Sequence, residues 1–129
     1  MIVVGYTADQ FGQAALDHGI AEATLRDTHL VVINSTTGEA YADPGFAQPA
    51  QVRDVEGRLA TSGVLFEFSQ QVGVDAAEVL LSAMDRPEAE LLVIGIKHRN
   101  PVGKLLLGSV AQQVLLECPK PVLAVKPDE

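Results

Sequence analysis

Lys97, Arg99 and Lys104 place three of the chain's nine Lys and Arg residues within eight positions. They fall in the stretch Val93–Val110, VIGIKHRNPVGKLLLGSV, and no Asp or Glu occurs between Leu91 and Leu116. In a chain of formal charge −8 this is a local reversal of sign. The chemistry it suits is the holding of an anion, and a nucleotide phosphate is the expected one. Gly95 ends an apolar run, and with no Cβ it would let a ligand approach the backbone. Pro101 and Gly103 shape the loop. Gly108-Ser109 opens a helical pattern, whose unpaired amides and positive dipole end favour negative charge.

Each device also has a plainer use. Ser109 with Gln112 fits the capping box S-x-x-Q. Gly108 would also ease a tight loop exit, and the three cations could form a solvated face. Leu105–Leu107 reads as core. No metal site is expected, because His18 and His29 fall on other elements than His98 and no Cys accompanies it. Cys118, the lone cysteine, cannot form an internal disulfide and reads as a small buried hydrophobe. No G-x-S-x-G, H-E-x-x-H, C-x-x-C, Walker or G-x-G-x-x-G pattern is present, so no catalytic residue is assigned.

The elements that must position this loop alternate. Met1–Tyr6 is a continuous apolar run, as in a strand buried on both faces of a parallel sheet. Thr7 or Asp9 caps a helix over Gln10–Arg26, in which Gly12 and Gly19 each cost about 1 kcal/mol relative to Ala. His29–Asn34 is a second strand. Ser35–Gln51, with two Gly and two Pro, reads as a long loop of the kind that often serves as a lid or binding loop. A helix is expected over Val52–Thr61, and a half-exposed or edge strand over Val64–Val72. Asp75 caps a third helix to Arg86, with Glu78 in the box position. Leu91–Gly95, the most apolar strand, is expected at the sheet centre. A helix from Ser109 to about Cys118 and a last strand, Pro121–Val125, complete five strands and four helices. This is a doubly wound α/β pattern. In such sheets ligands bind beyond the carboxyl ends of the strands where the winding switches, which is where Gly95 falls.

Length and composition bound the rest. The 129 residues make a single domain, and 47% hydrophobic with 20% charged residues argues against disorder. No apolar run is long enough for a membrane span. The first ten residues lack the features of a secretory leader and read as a strand, so a cytoplasmic address is expected. With 17 acidic residues the surface as a whole would repel nucleic acid and anionic membrane. The last strand, short and apolar, should lie at a sheet edge. Pairing with its twin across a two-fold axis, through residues 121–125, would cover it as a homodimer.

LLVIGIKHRNPVGKLLLGSVAQQVLLECPKPVLAVKP resembles the C-terminal third of the universal stress protein family, and MIVVGYTADQFGQAALDHGIAEA resembles its first strand and helix. The likeness spans residues 1–129. It implies an α/β doubly wound five-stranded parallel sheet, order 3-2-1-4-5, with helices on both faces. Nucleotide-binding members carry Gly, two residues, Gly, nine residues, then Gly-Ser or Gly-Thr. Gly95 and Gly108-Ser109 match that pattern, and His98 replaces the inner glycine. A second departure is Thr7, two residues after Gly5, where relatives carry Asp near the adenosine. Asn34 falls where relatives offer backbone groups to adenine. The resemblance thus implies ATP or AMP, with or without Mg²⁺, held by Gly5, Thr7, Asn34, Ile94, Gly95, Lys97, His98, Arg99, Gly103, Lys104, Gly108, Ser109 and Val110. A stress-response role through a protein partner follows from it. A dimeric interaction protein without nucleotide is the alternative. A slow ATPase or self-phosphorylating protein has less behind it, for want of a base or Mg²⁺ carboxylate in the loop.

Overall fold

The computed structural model describes residues 1–38, 40–97 and 107–127. His98, Arg99, Gly103 and Lys104, along with Leu105 and Leu106, lie outside the described residues. The elements run β1 (Ile2–Gly5), α1 (Gln10–Arg26), β2 (Leu30–Thr36), α2 (Pro49–Thr61), β3 (Phe66–Val72), α3 (Ala76–Met84), β4 (Leu91–Gly95), α4 (Ser109–Glu117) and β5 (Val122–Val125). All strand pairs are parallel, in the order β3-β2-β1-β4-β5. The winding reverses between β1 and β4, so their C-terminal ends open a crevice.

Side chains alternate across the sheet and divide the core into two layers. Ile2, Val4, Leu30, Val32, Leu91 and Val93 pack with Ala15 and Leu16 of α1 and Val55 and Leu59 of α2. Val3, Val31, Ile33, Leu92 and Ile94 pack with Ala77, Leu80 and Met84 of α3 and Ala111 and Val114 of α4. On β3 the alternation is plain: Phe66 and Phe68 join the first layer, whereas Glu67, Ser69 and Gln71 face an open groove beside α3.

Several boundaries differ from the sequence reading. β2 continues two residues past Asn34, to Thr36. α2 starts at Pro49 rather than Val52; proline suits a first helical position because its missing N–H would be unpaired there anyway. Gln51 Oε1 accepts the Gln48 N–H at 2.8 Å and fixes that start. The long loop therefore shortens to 37–48. β4 is not the central strand. That place belongs to β1; β5 covers the outer edge of β4, and the two faces of β4 are buried by α1 on one side and by α3 and α4 on the other.

Candidate functional site

At the β1/β4 crevice the register sets Gly5 level with Ile33 on one side and Ile94 on the other. Beyond them lies a cavity of about 260 Å³. Its floor is Gly5, Ile33, Ile94 and Ile96, and α3 contributes Ala76 and Leu80. Tyr6, Thr7, Asp9 and Phe11 form the wall at the start of α1, with Gly95 and Lys97 opposite and Gly108, Val110 and Ala111 from α4. Ser35 completes the lining. The interior is mostly apolar, and its polar groups sit at two ends.

One polar end is the β1–α1 turn. The Thr7 hydroxyl donates to Asp9 Oδ1 at 2.7 Å, and that oxygen also accepts the Gly12 N–H at 3.0 Å as the cap of α1. A neutral hydroxyl and a carboxylate together offer acceptors to a ligand's hydroxyl or amino groups. The sequence marked Asp9 only as a possible cap; its place in the cavity comes from the tight turn that folds it back beside Thr7. Tyr6 contributes backbone here, while its ring lies in the α1/α2 layer against Phe68, with Gln13 Nε2 donating to its hydroxyl at 3.1 Å. Burial, followed by the charge of Asp9, pushes the Tyr6 phenol above its ordinary pKa.

The other polar end is Lys97 with the start of α4. Lys97 is exposed and makes no ion pair among the described residues. Gly108, not Ser109, is the N-cap, with extended backbone (φ −64°, ψ 160°) and no side-chain capping bond. Ser109 is the first helical residue; it is exposed and does not line the cavity, so the capping box read from S-x-x-Q is not formed. The first turn carries no acidic residue. Its amides and dipole present positive potential beside Lys97.

Of the residues singled out in the sequence, Gly5, Thr7, Ile94, Gly95, Lys97, Gly108 and Val110 meet at this cavity. Asn34 does not. Strand alternation turns its side chain into the opposite layer, where it is fully buried, and β2 lends the cavity Ile33 and Ser35 instead. Gly95 is in place for a different reason from the one expected. A Cβ there would strike the Phe11 carbonyl and come within 2.9 Å of Phe11 Cβ, so the missing side chain admits α1 rather than a ligand.

A larger groove, about 620 Å³, runs between β3 and α3. It is lined by Glu67, Asp75 and Glu78, and its one cation among the described residues, Arg86, is paired with Glu88 at 2.7 Å. Such a lining repels phosphate, and the groove lies away from the switch of winding. Among the described residues no cluster of three or more His, Cys, Asp or Glu could hold a metal ion, and no helix is long and apolar enough to cross a membrane.

Comparison with known proteins agrees with this architecture. The universal stress protein family matches residues 1–126. A universal stress protein of Mycolicibacterium smegmatis is 71% identical over 127 residues, covering 98% of both chains. The structure of a universal stress protein from Archaeoglobus fulgidus aligns with TM-score 0.78 at 28% identity, covering 97% of each chain. The Archaeoglobus fulgidus universal stress protein in complex with dAMP gives 0.65 at 25% identity, covering 97% of this chain and 96% of that one. A universal stress protein in complex with cAMP gives 0.71 at 25% identity, covering 97% and 94%. A family match over nearly the whole chain, a close relative of equal length and a shared strand order leave one assignment: the chain belongs to the universal stress protein family.

Proposed function

We propose that the chain binds an adenine nucleotide, ATP or AMP, in the β1/β4 cavity and acts in a stress response through a protein partner. The observation that carries this is the polarity of the cavity: an apolar interior with acceptors at Thr7 and Asp9 at one end, and Lys97 with the open N-terminus of α4 at the other. A nucleoside suits the apolar part, with its hydroxyls or amino group toward Thr7 and Asp9. Its phosphates then reach toward Lys97, Gly108 and Ser109, and any Mg²⁺ would arrive with them. Gly5, Ile94, Gly95 and Val110 supply walls in this reading. His98, Arg99, Gly103 and Lys104 belong to it through the sequence pattern alone. The dAMP and cAMP complexes of the two relatives support adenine as the base.

Isothermal titration with ATP, AMP and GTP tests it. Heat with the adenine nucleotides and a rise in melting temperature are expected, because a ligand that binds only the folded state stabilises it. No heat and no thermal stabilisation at millimolar ATP would defeat the reading.

The same proposal includes a homodimer through β5 and a cytoplasmic setting. Among the described residues β5 is an edge strand paired with β4 alone, and Val122, Leu123 and Ala124 are each half-buried. An apolar edge of this kind is normally paired or covered. Sedimentation at micromolar concentration should give the dimer mass; a monomer would remove this part and leave nucleotide binding standing.

A further inference from the structure

Asn34 lies fully buried near the C-terminal end of β2, in the layer opposite the cavity. A carboxamide can give two hydrogen bonds and take two. Asn34 makes all four. Its Nδ2 donates to Tyr6 O at 2.9 Å and to Gly45 O at 3.0 Å. Its Oδ1 accepts from Ala47 N at 2.8 Å and from Gln70 Nε2 at 3.1 Å. Two neighbouring bonds close the network: Ala8 N donates to Gly45 O at 2.9 Å, and Gln70 Nε2 donates to Ala47 O at 2.9 Å. One side chain thus ties together the β1–α1 turn, the loop after β2, and β3.

The turn held in this way is a wall of the cavity, since Tyr6 and Thr7 line it. The loop has a different exposure. Phe46 and Ala47 are buried at its anchored end, while Tyr41 is 93% exposed toward its outer end. Releasing the anchored end would leave several buried carbonyls and amides unpaired together, each at a desolvation cost. The loop therefore seats or leaves as a unit.

We propose that Asn34 is a positioning residue that joins loop 40–47 to the Tyr6–Thr7 wall, so that seating of the loop and occupancy of the cavity favour each other. By linkage, anything that grips the outer loop changes affinity in the cavity by the same factor as occupancy changes the grip. The identity of the occupant rests on the nucleotide reading above; the link between loop and wall does not.

Amide hydrogen exchange tests the link in the free protein. Asn34→Asp keeps the shape but replaces the two donors with an acceptor facing Tyr6 O and Gly45 O. Gln70→Ala, on an edge strand, weakens the same network at less risk to folding. Both should accelerate exchange at Ala8 and Ala47 together, by about tenfold. The Leu92 amide, bonded to Pro121 O at 3.1 Å, should keep its rate. Met84→Ala, a fully buried site at the far end of α3, serves as a control for general destabilisation and should not single out Ala8 and Ala47. Acceleration at Ala47 with Ala8 unchanged would overturn the proposal. With AMP added, Ala47 should slow in the unsubstituted protein; bound AMP with no change at Ala47 would overturn it as well. Absence of any AMP binding would sink the nucleotide reading alone, and the exchange rates of Ala8 and Ala47 in the free protein would still decide the role of Asn34.

Discussion

The Thr7 hydroxyl is hydrogen-bonded to Asp9 Oδ1 at 2.7 Å, so a neutral residue and a carboxylate share one edge of the cavity. Asp9 is itself committed to Gly12 as the cap of α1. The turn therefore holds a negative charge at the cavity without needing one at position 7.

Introducing a carboxylate at that position should then harm the site. Thr7→Asp would set two carboxylates within hydrogen-bonding distance, and like charges there resist joint ionisation. Weaker AMP binding at pH 8 is expected, with partial recovery near pH 5 as one carboxyl takes up a proton. Calorimetric titration at both values checks this. Tighter binding at pH 8 would mean that Asp9 is not the cavity's acceptor.

Gly108 separates binding from folding. Among the described residues a Cβ there would meet nothing within 4 Å, and its φ of −64° suits any residue. Gly108→Asp should leave stability within a few tenths of a kcal/mol, since Asp is at least as good an N-cap as Gly. Placed where phosphates are expected, the added charge should weaken ATP binding by about tenfold or more at low salt, and less at 1 M salt. Unchanged ATP affinity, measured by titration, would place the phosphates elsewhere.

Tyr6 gives a pH signature. Burial and then the charge of Asp9 hold its pKa above the unfolded value near 10. Between the two values the folded state keeps a proton that the unfolded chain has lost. Its contribution to stability is full below about pH 10 and falls as pH rises through the folded pKa. Tyr6→Phe should flatten this part of the alkaline decline, at the cost of the Gln13 hydrogen bond. Urea midpoints from pH 8.5 to 11 for both proteins would show parallel curves if Tyr6 played no part.

Gly95 should be intolerant for reasons of packing. Gly95→Ala drives a methyl group into the backbone of α1 at Phe11, and overpacking of this kind costs about 1–3 kcal/mol. Chemical denaturation without ligand measures it. A neutral effect would require α1 to shift freely.

Much of this architecture was legible in the sequence. Period and apolarity marked all five strands and four helices, because continuous apolar runs such as IVVG and LLVIG suit only strands covered on both faces. The cavity's outline was legible too, since a change of winding between β1 and β4 fixes where strand ends open. What could not be read was the direction in which side chains face. Asn34 follows an apolar run and looks like a strand end, yet it lies within β2, and alternation from Leu30 and Val32 turns it into the layer opposite the cavity. Asp9 reads as a cap, and only the folded turn shows that the same carboxylate also reaches the cavity. Ser109 satisfies the letters of a capping box, but the helix begins one residue earlier than that box requires, which makes Ser109 the first helical residue and Gly108 the cap.

The contact of Gly95 with Phe11 has a consequence for descent. A residue kept for the docking of a helix is retained by selection for folding, whatever happens to the ligand. A lineage that ceased to bind nucleotide would still carry this glycine, whereas Gly108, whose Cβ would meet none of the described residues, would be free to drift. In comparing relatives of this chain, loss at position 108 is therefore the informative event, and persistence at position 95 records only that the helix is still seated on the sheet.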